Sequence, residues 1–251
     1  MRHLLTTAAS AVLAISLSWS ASAANFKPTE KAEIEGIIQS YLLEHPEILR
    51  DMSNRLEAAD KEREVQARAG TLKSKAAEIF HDATDAVIGN PKGDVTVVEF
   101  MDYNCGWCKK SVTEMKALLE TDKNVRIVMK EFPIFGEGSE YAAKAALASV
   151  KQGKYWELHQ ALFAAESKVT PEVVDQIAVE QGLDLARLKK DMQDPEIAAN
   201  IQRTQILAQT LLFTGTPAFL VDDQVTPGYI PIDGLMASIA TVRAAGGCKL
   251  C

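Results

Sequence analysis

Cysteine is scarce in this chain, with four in 251 residues, too few to staple a disulfide-rich scaffold. A catalytic or local role for them follows. Positive charge is also short: 27 Lys and Arg stand against 34 Asp and Glu, a formal charge of −7, with the two signs interspersed. Lacking a basic face, the chain has no footprint for nucleic acid. No segment after the N-terminus is long and apolar enough to cross a bilayer. Histidine is limited to four residues, and His45, His81 and His159 are scattered, with no spacing that supports a general base or a metal ligand set. At 47% hydrophobic residues, the composition is that of an ordinary globular protein.

Arg2 and His3 precede an apolar run, Leu4 to Leu17, and then the small residues Ser20-Ala21-Ser22-Ala23-Ala24. Ala21 and Ala23 fit the A-x-A cleavage pattern, so residues 1–23 read as a secretory signal peptide, a retained anchor being the alternative. The expected location is the periplasm of an exporting bacterium, where disulfides form and persist.

In that setting Cys105-Gly106-Trp107-Cys108 stands out. It follows the strand-like run Val95 to Phe100 and opens the helix-like run Lys109 to Glu120. A thiol at a helix N-terminus meets unpaired N–H groups and the positive end of the helix dipole, both of which favour thiolate. Cys105 is the expected nucleophile, and Cys108, one turn on, the thiol that resolves a mixed disulfide. The same spacing also supplies half a zinc site or a structural disulfide, so context decides.

Two regions separate along the chain. Ile34, Ile37, Ile38, Tyr41 and Leu42 form the stripe of an amphipathic helix that His45-Pro46 interrupts. Ile48, Leu49, Met52 and Leu56 continue an apolar face, after which Ala58 to Ala77 is charged and alanine-rich, with little to bury against a core. A helical stalk with Gly70 as a weak point is the reading, a disordered linker the alternative. The stripe either folds back on the main domain or pairs with copies of itself. From near Ala86 the pattern is mixed α/β. Val95–Phe100 and Val125–Lys130 read as strands around the Cys105 helix, a β-α-β unit. Helices are expected over 141–150, 155–165, 171–181, 185–192 and 195–212, with strands at 218–221 and 224–229 and a closing helix through Ile232, Leu235, Met236, Ile239 and Val242.

A strand leading into C-x-x-C, a large helical insertion, and Gly215-Thr216-Pro217 before the returning strand together resemble the DsbA family of the thioredoxin fold. Phe100-Met-Asp-Tyr-Asn-Cys-Gly-Trp-Cys-Lys-Lys110 and the region around Tyr41-Leu-Leu-Glu-His-Pro-Glu-Ile-Leu49 are most similar to the suppressor-of-copper-sensitivity protein C group. The resemblance implies an α/β thioredoxin-like domain over 86–246 with its helical insertion at about 138–212. An N-terminal helical extension and linker, 24–85, precedes it, and a cysteine-containing tail, 247–251, follows.

The resemblance further implies that Pro217 is a cis-proline opposite the cysteines, where the backbone of Thr216 pairs with an extended substrate; a trans proline is the plain alternative. Glu99 is similar in position to the family's buried acid beneath the dithiol, where it relays the Cys108 proton; it reads equally as a paired strand residue, with Lys130 as partner. Gly106 and Trp107 bring no charge, so a less depressed Cys105 pKa and a milder potential are expected. Within the group, forms with the extension are trimers that shuffle disulfides and forms without it are monomers. The expectation is therefore a homo-oligomer, a trimer, assembled through residues 28–57 and acting as a disulfide isomerase or reductase. Its partners are exported cysteine-containing proteins and a membrane redox protein, and no cofactor is implied. A monomeric DsbA-type oxidase is the runner-up, and a periplasmic copper-binding or copper-protecting protein the third reading. Cys248-Lys249-Leu250-Cys251 lies beyond the expected domain, as a local disulfide, a soft-metal site suited to copper(I), or a participant in exchange.

Overall fold

The computed structural model describes residues 26–251, and the expected signal peptide lies outside the described residues. Two compact units divide at Asp60 and Lys61. In the first, helix α1, Pro28–Glu44, starts with proline at its first turn, and the Glu30 carboxylate accepts the Lys27 N–H at 2.7 Å. It stops before Pro46, as a helix must when the next residue lacks a donor and blocks the helical conformation behind it. Helix α2, Glu47–Ser74, then begins and crosses into the second unit without a break at Gly70. No residue of α1 is buried. Ile37, Ile38, Tyr41, Leu43, Leu49, Met52 and Leu56 are all more than half exposed.

The second unit is built on a five-stranded sheet. After α3, Ala76–Phe80, come β1, Ala86–Gly89, and β2, Val95–Met101; α4, Gly106–Thr121, then leads to β3, Val125–Glu131. Five helices follow: α5, Glu137–Ser149; α6, Tyr155–Ala164; α7, Pro171–Glu180; α8, Leu185–Asp191; and α9, Pro195–Thr210. The chain returns as β4, Ala218–Val221, and β5, Gln224–Thr226, and closes with α10, Ile232–Ala244. The strand order is β1-β3-β2-β4-β5, with β2 and β3 parallel and every other pair antiparallel. All seven residues of β2 are buried. That follows from its position: it is central, with one apolar cluster including α4, α10 and the inserted helices on one face, and a second including Ile79, Phe80, Leu207 and Leu211 on the other.

The second cluster limits the expectation that Ala58 to Ala77 buries little, since Leu72 within that span is in the core, and the residues just after it are too. Leu72, Ile79 and Phe80 are at most 2% exposed and pack with Val98, Phe100 and Val128. The polar composition of the preceding turns conceals three large apolar residues at their end. Strand β1 was not expected from the sequence; at its end Gly89 has φ +76°, and a Cβ there would meet the Val125 carbonyl oxygen at 2.6 Å. Strand β5 ends at Thr226, ahead of Pro227 and Gly228, short of the expected Tyr229. Where start signals were clear, the helices obey them: Thr170, Asp184 and Asp194 each accept a first-turn N–H.

One ion pair is set inside this frame. Lys130 donates to the Asp85 carboxylate and, at 2.6 Å, to the Glu78 carbonyl, and both side chains of the pair are at most 2% exposed. Asn200 from α9 donates to the other Asp85 oxygen at 2.9 Å, so the pair joins the segment before β1, strand β3 and the last inserted helix. Replacing Lys130 with Met leaves a buried carboxylate without its cation and is expected to cost about 3–5 kcal/mol in a denaturant titration. Lys130→Met combined with Asp85→Leu should recover most of that loss; a single variant as stable as the parent would show that the pair does not matter.

Candidate functional site

The site begins where β2 ends. Asp102 is 1% exposed, and its carboxylate accepts four hydrogen bonds: from the N–H of Asn104 (2.7 Å), the hydroxyl of Ser139 (2.7 Å), and the N–H groups of Ile134 (2.7 Å) and Phe135 (3.0 Å). These tie the turn before the cysteines to the loop after β3 and to the start of α5. Asn104 adds a second clamp: its amide donates to the Val169 carbonyl (3.1 Å) and accepts the Val169 N–H (2.9 Å), mimicking a backbone pair. Sequence reading missed both residues. Their signal was there in Asp102-Tyr-Asn104, short polar side chains of the type that closes turns, immediately before the first cysteine.

Cys105 therefore arrives in a fixed position, as the N-cap of α4. Both Cys105 and Cys108 are free thiols, 6% and 1% exposed. The peptide bond between Thr216 and Pro217 is cis, and the Cys105 thiol donates to the Thr216 carbonyl at 3.2 Å across 111 residues of sequence. The Cys105 pKa is pulled down to about 5, first by a hydrogen bond from the Cys108 thiol, against partial burial; the Thr216 side chain and the N–H groups of Cys108 and Trp107 donate as well. The Thr216 hydroxyl is buried with no partner in the thiol form, which leaves it available to a thiolate. The dipeptide carries no charge, and the lowering comes from the Cys108 thiol and the donors at the helix start, as a thiol at that position leads one to expect. The Cys108 pKa moves the opposite way, raised by burial, by its hydrogen bond to Cys105 and by the charge of Glu99.

Glu99 lies beneath this pair, 2% exposed, with the Ser111 hydroxyl of α4 donating to it at 2.7 Å. It does not pair with Lys130. Register places Glu99 beside Met129, and successive residues of a strand point to opposite faces, so Lys130 faces the other core. Burial pushes the Glu99 carboxyl up to about 8, against the Ser111 bond and helped by charge on Cys105.

Around the thiols the surface is open and partly apolar. Trp107 is 58% exposed, its ring 5.4 Å from that of Tyr229, and Lys110 sits over both rings at 5.4 and 4.6 Å. On the other side of Cys105 a cleft of about 400 Å³ is lined by Tyr103, Asn104, Lys109, Phe135 and Phe163. Behind it the Tyr103 hydroxyl donates to Glu131 (3.1 Å) and meets His159 Nδ1 (3.1 Å), and Tyr155 donates to the same Glu131 oxygen at 2.8 Å. Burial holds the His159 pKa down at about 3 and pushes Glu131 well above the carboxylate range. His159 is thus a neutral ring boxed by Tyr155, Trp156 and Phe163.

Cys248 and Cys251 are joined as a disulfide. The tail is not detached from the domain. Asp222 accepts the N–H groups of Lys249 (2.9 Å) and Leu250 (2.7 Å), and Cys248 packs against one apolar cluster while Leu250 and Cys251 pack against the other.

The raised Glu99 pKa has a thermodynamic consequence for the reduced protein. The folded state holds the Glu99 proton up to about 8 and the unfolded chain releases it near 4.5. Its contribution to stability is complete below the lower value and is lost as pH rises toward the upper one. Glu99→Gln is expected to flatten that decline in equilibrium unfolding followed across this range; an identical pH dependence in variant and parent would contradict the assignment.

Comparison with known proteins agrees with this architecture. Residues 96–240 match the DSBA-like thioredoxin domain family, and residues 30–63 match the copper resistance protein ScsC N-terminal domain. A thioredoxin-like oxidoreductase from Silicibacter pomeroyi is 45% identical, covering 67% of this chain and 97% of that one, with a TM-score of 0.66. BcfH from Salmonella enterica Typhimurium is 29% identical, covering 84% and 95%, with a TM-score of 0.72. The probable disulfide bond formation protein D of Bacillus anthracis is 29% identical over 60% of this chain and 75% of its own length. The chain also spans about a quarter of the length of curated Na+/H+ antiporters such as one from Salinispora tropica, at 30% identity, whereas among the described residues no helix is long and apolar enough to cross a membrane. A match that runs from β2 through the paired cysteines to α10 covers more than half of the sequence, and on it the chain belongs to the DSBA-like thioredoxin domain family, with an ScsC-type N-terminal domain ahead of it.

Proposed function

We propose that the protein is an exported, periplasmic thiol-disulfide oxidoreductase that acts on cysteine-containing proteins as an oligomeric isomerase or reductase. The observation that carries the chemistry is the opposition of the two thiols, one ionised well below neutrality and the other held as a thiol. The Cys105 thiolate attacks a client disulfide, forming a mixed disulfide and expelling the client's second sulfur as a thiolate. Cys108 then loses its proton, attacks Cys105 and releases the reduced client, leaving Cys105–Cys108 oxidised; in isomerisation the client's own thiol performs the release and the dithiol is unchanged. Glu99, beneath the pair, relays the Cys108 proton once the mixed disulfide has removed the Cys105 charge that helps hold its own proton. Thr216 and Pro217 hold the client chain against Cys105, while Gly106 gives it room and Trp107 an apolar edge.

What supports isomerase over oxidase is the extension. Ile34, Ile37, Ile38, Tyr41 and Leu42 are the apolar stripe of α1, a helix with no buried residue, the kind of face that self-association covers, and residues 30–63 match an ScsC N-terminal domain. A trimer is the assembly we favour, reset by a membrane redox protein. One observation favours the second reading, a monomeric oxidase: a Cys105 pKa of about 5 stabilises the reduced form and so makes the disulfide a stronger oxidant.

Cys105→Ser should abolish exchange, and Cys108→Ser should accumulate mixed disulfides with clients, seen as thiol-sensitive adducts on non-reducing gels. The reverse trapping pattern overturns the assigned order. Ile38→Glu should convert the oligomer to monomers, by mass in solution, keeping simple dithiol oxidation and losing most refolding of a scrambled disulfide substrate. A parent protein that is already monomeric at micromolar concentration returns the function to the oxidase reading.

A further inference from the structure

One group of chemistry-bearing side chains is left over by the active centre. The Asp222 carboxylate and the sulfurs of Cys248 and Cys251 have ligand atoms within 4.8 Å of one another, drawn from the β4–β5 turn and from the last four residues. Asp222 is 4% exposed and has positive φ, +56°. Its hydrogen-bond donors are the N–H groups of Lys249 and Leu250, with no cationic side chain among them, and the disulfide-bonded Cys248 sulfur lies against it without a proton to donate. Buried carboxylates are ordinarily paired with a cation or bound to a metal.

We propose that Asp222, Cys248 and Cys251 form a redox-gated site for a thiophilic divalent cation of the zinc class, filled when the tail disulfide is reduced. In a tetrahedral site with metal–sulfur bonds of about 2.3 Å and metal–oxygen bonds of about 2.0 Å, sulfur and oxygen lie about 3.5 Å apart. Cys248 Sγ and Asp222 Oδ1 are separated by 3.5 Å. The two N–H groups on Oδ1 hold the carboxylate in place as outer-sphere donors do in metal sites, and Oδ2 accepts none of these bonds. Gly246 and Gly247, at φ +94° and +100°, lead into the tail and allow the sulfurs to part.

Loading begins with a dithiol reductant. Its thiolate attacks one sulfur of the Cys248–Cys251 bond, its second thiolate displaces the tail, and two electrons pass to the tail as two thiols while the reductant becomes a disulfide. The cation then displaces two thiol protons and is held by two thiolates and one carboxylate, with water in the fourth position. Exchange with an oxidised disulfide reverses the transfer: the two sulfurs bond to each other, two electrons leave, and the ion loses both thiolate ligands. The site is independent of Cys105 and Cys108 and of the reading of their function.

The test uses the full chain carrying Cys105→Ser and Cys108→Ser, so that only tail thiols remain, reduced with a phosphine and titrated anaerobically with Co2+. The expected result is a tetrahedral cobalt spectrum with a sulfur-to-metal band, saturating at one ion per chain and bleached by Zn2+; the oxidised protein should give none. Adding Asp222→Asn or Cys251→Ser should weaken binding at least about tenfold. Should Asp222→Asn not fold, by thermal melting, Cys251→Ser carries the comparison, since it leaves the β4–β5 turn intact. No saturable spectrum in the reduced protein, the same spectrum in the oxidised one, or undiminished affinity in the folded variants would overturn the proposal.

Discussion

The position of the reactive sulfur rests on the Asp102 carboxylate. A strand end followed by a helix start has to change direction within a few residues, and the chain between them carries N–H groups that must be satisfied if the turn is buried. Asp102 collects four donors from three places: the cysteine turn itself, the loop after β3, and the first turn of α5. One side chain thereby couples the sheet to the inserted helices at the point where Cys105 emerges. Remove it and four donors, one of them fully buried, lose their acceptor at once.

Electrostatics divide the dithiol because the two sulfurs sit in different surroundings one helical turn apart. Cys105 faces donors at the open end of α4 and the Thr216 side chain; Cys108 is enclosed, with the Glu99 carboxyl beneath it. A carboxyl held at a pKa of about 8 in the centre of a sheet costs folding stability as pH rises toward that value; its one hydrogen-bond donor is the Ser111 hydroxyl of α4. The Glu131–Tyr103–His159 group behind the cleft is a second buried polar cluster, in which Tyr103 joins Glu131 to a neutral ring.

The extension and the tail illustrate how differently two segments outside the β-α-β frame are treated. Helix α1 leaves its isoleucines exposed, while the end of α2 and α3 deliver Leu72, Ile79 and Phe80 into the second core cluster. The charged, alanine-rich sequence of α2 gives little sign of the large apolar residues that end it and fill α3. At the other end, five residues with little bulk are fastened by Asp222 through two backbone donors, an anchor invisible until the β4–β5 turn is folded.

By itself the sequence determined most of the order of elements and the chemistry of the centre: runs of β-branched residues marked β2 and β3, an apolar run marked β4, Thr170-Pro171 and Asp194-Pro195 marked the starts of α7 and α9, and Cys105-Gly-Trp-Cys108 marked the reactive turn. These are local signals, governed by backbone sterics and the period of burial over a few residues. Tertiary structure alone decided what depends on separation in sequence. It set Thr216 against Cys105, turned Lys130 away from Glu99 toward Asp85, recruited Asp102 and Asn104 as clamps, and brought the tail to Asp222. It also added the Thr216 side chain to the donors that lower the Cys105 pKa, a contribution from 111 residues away that joins those of the Cys108 thiol and the helix start.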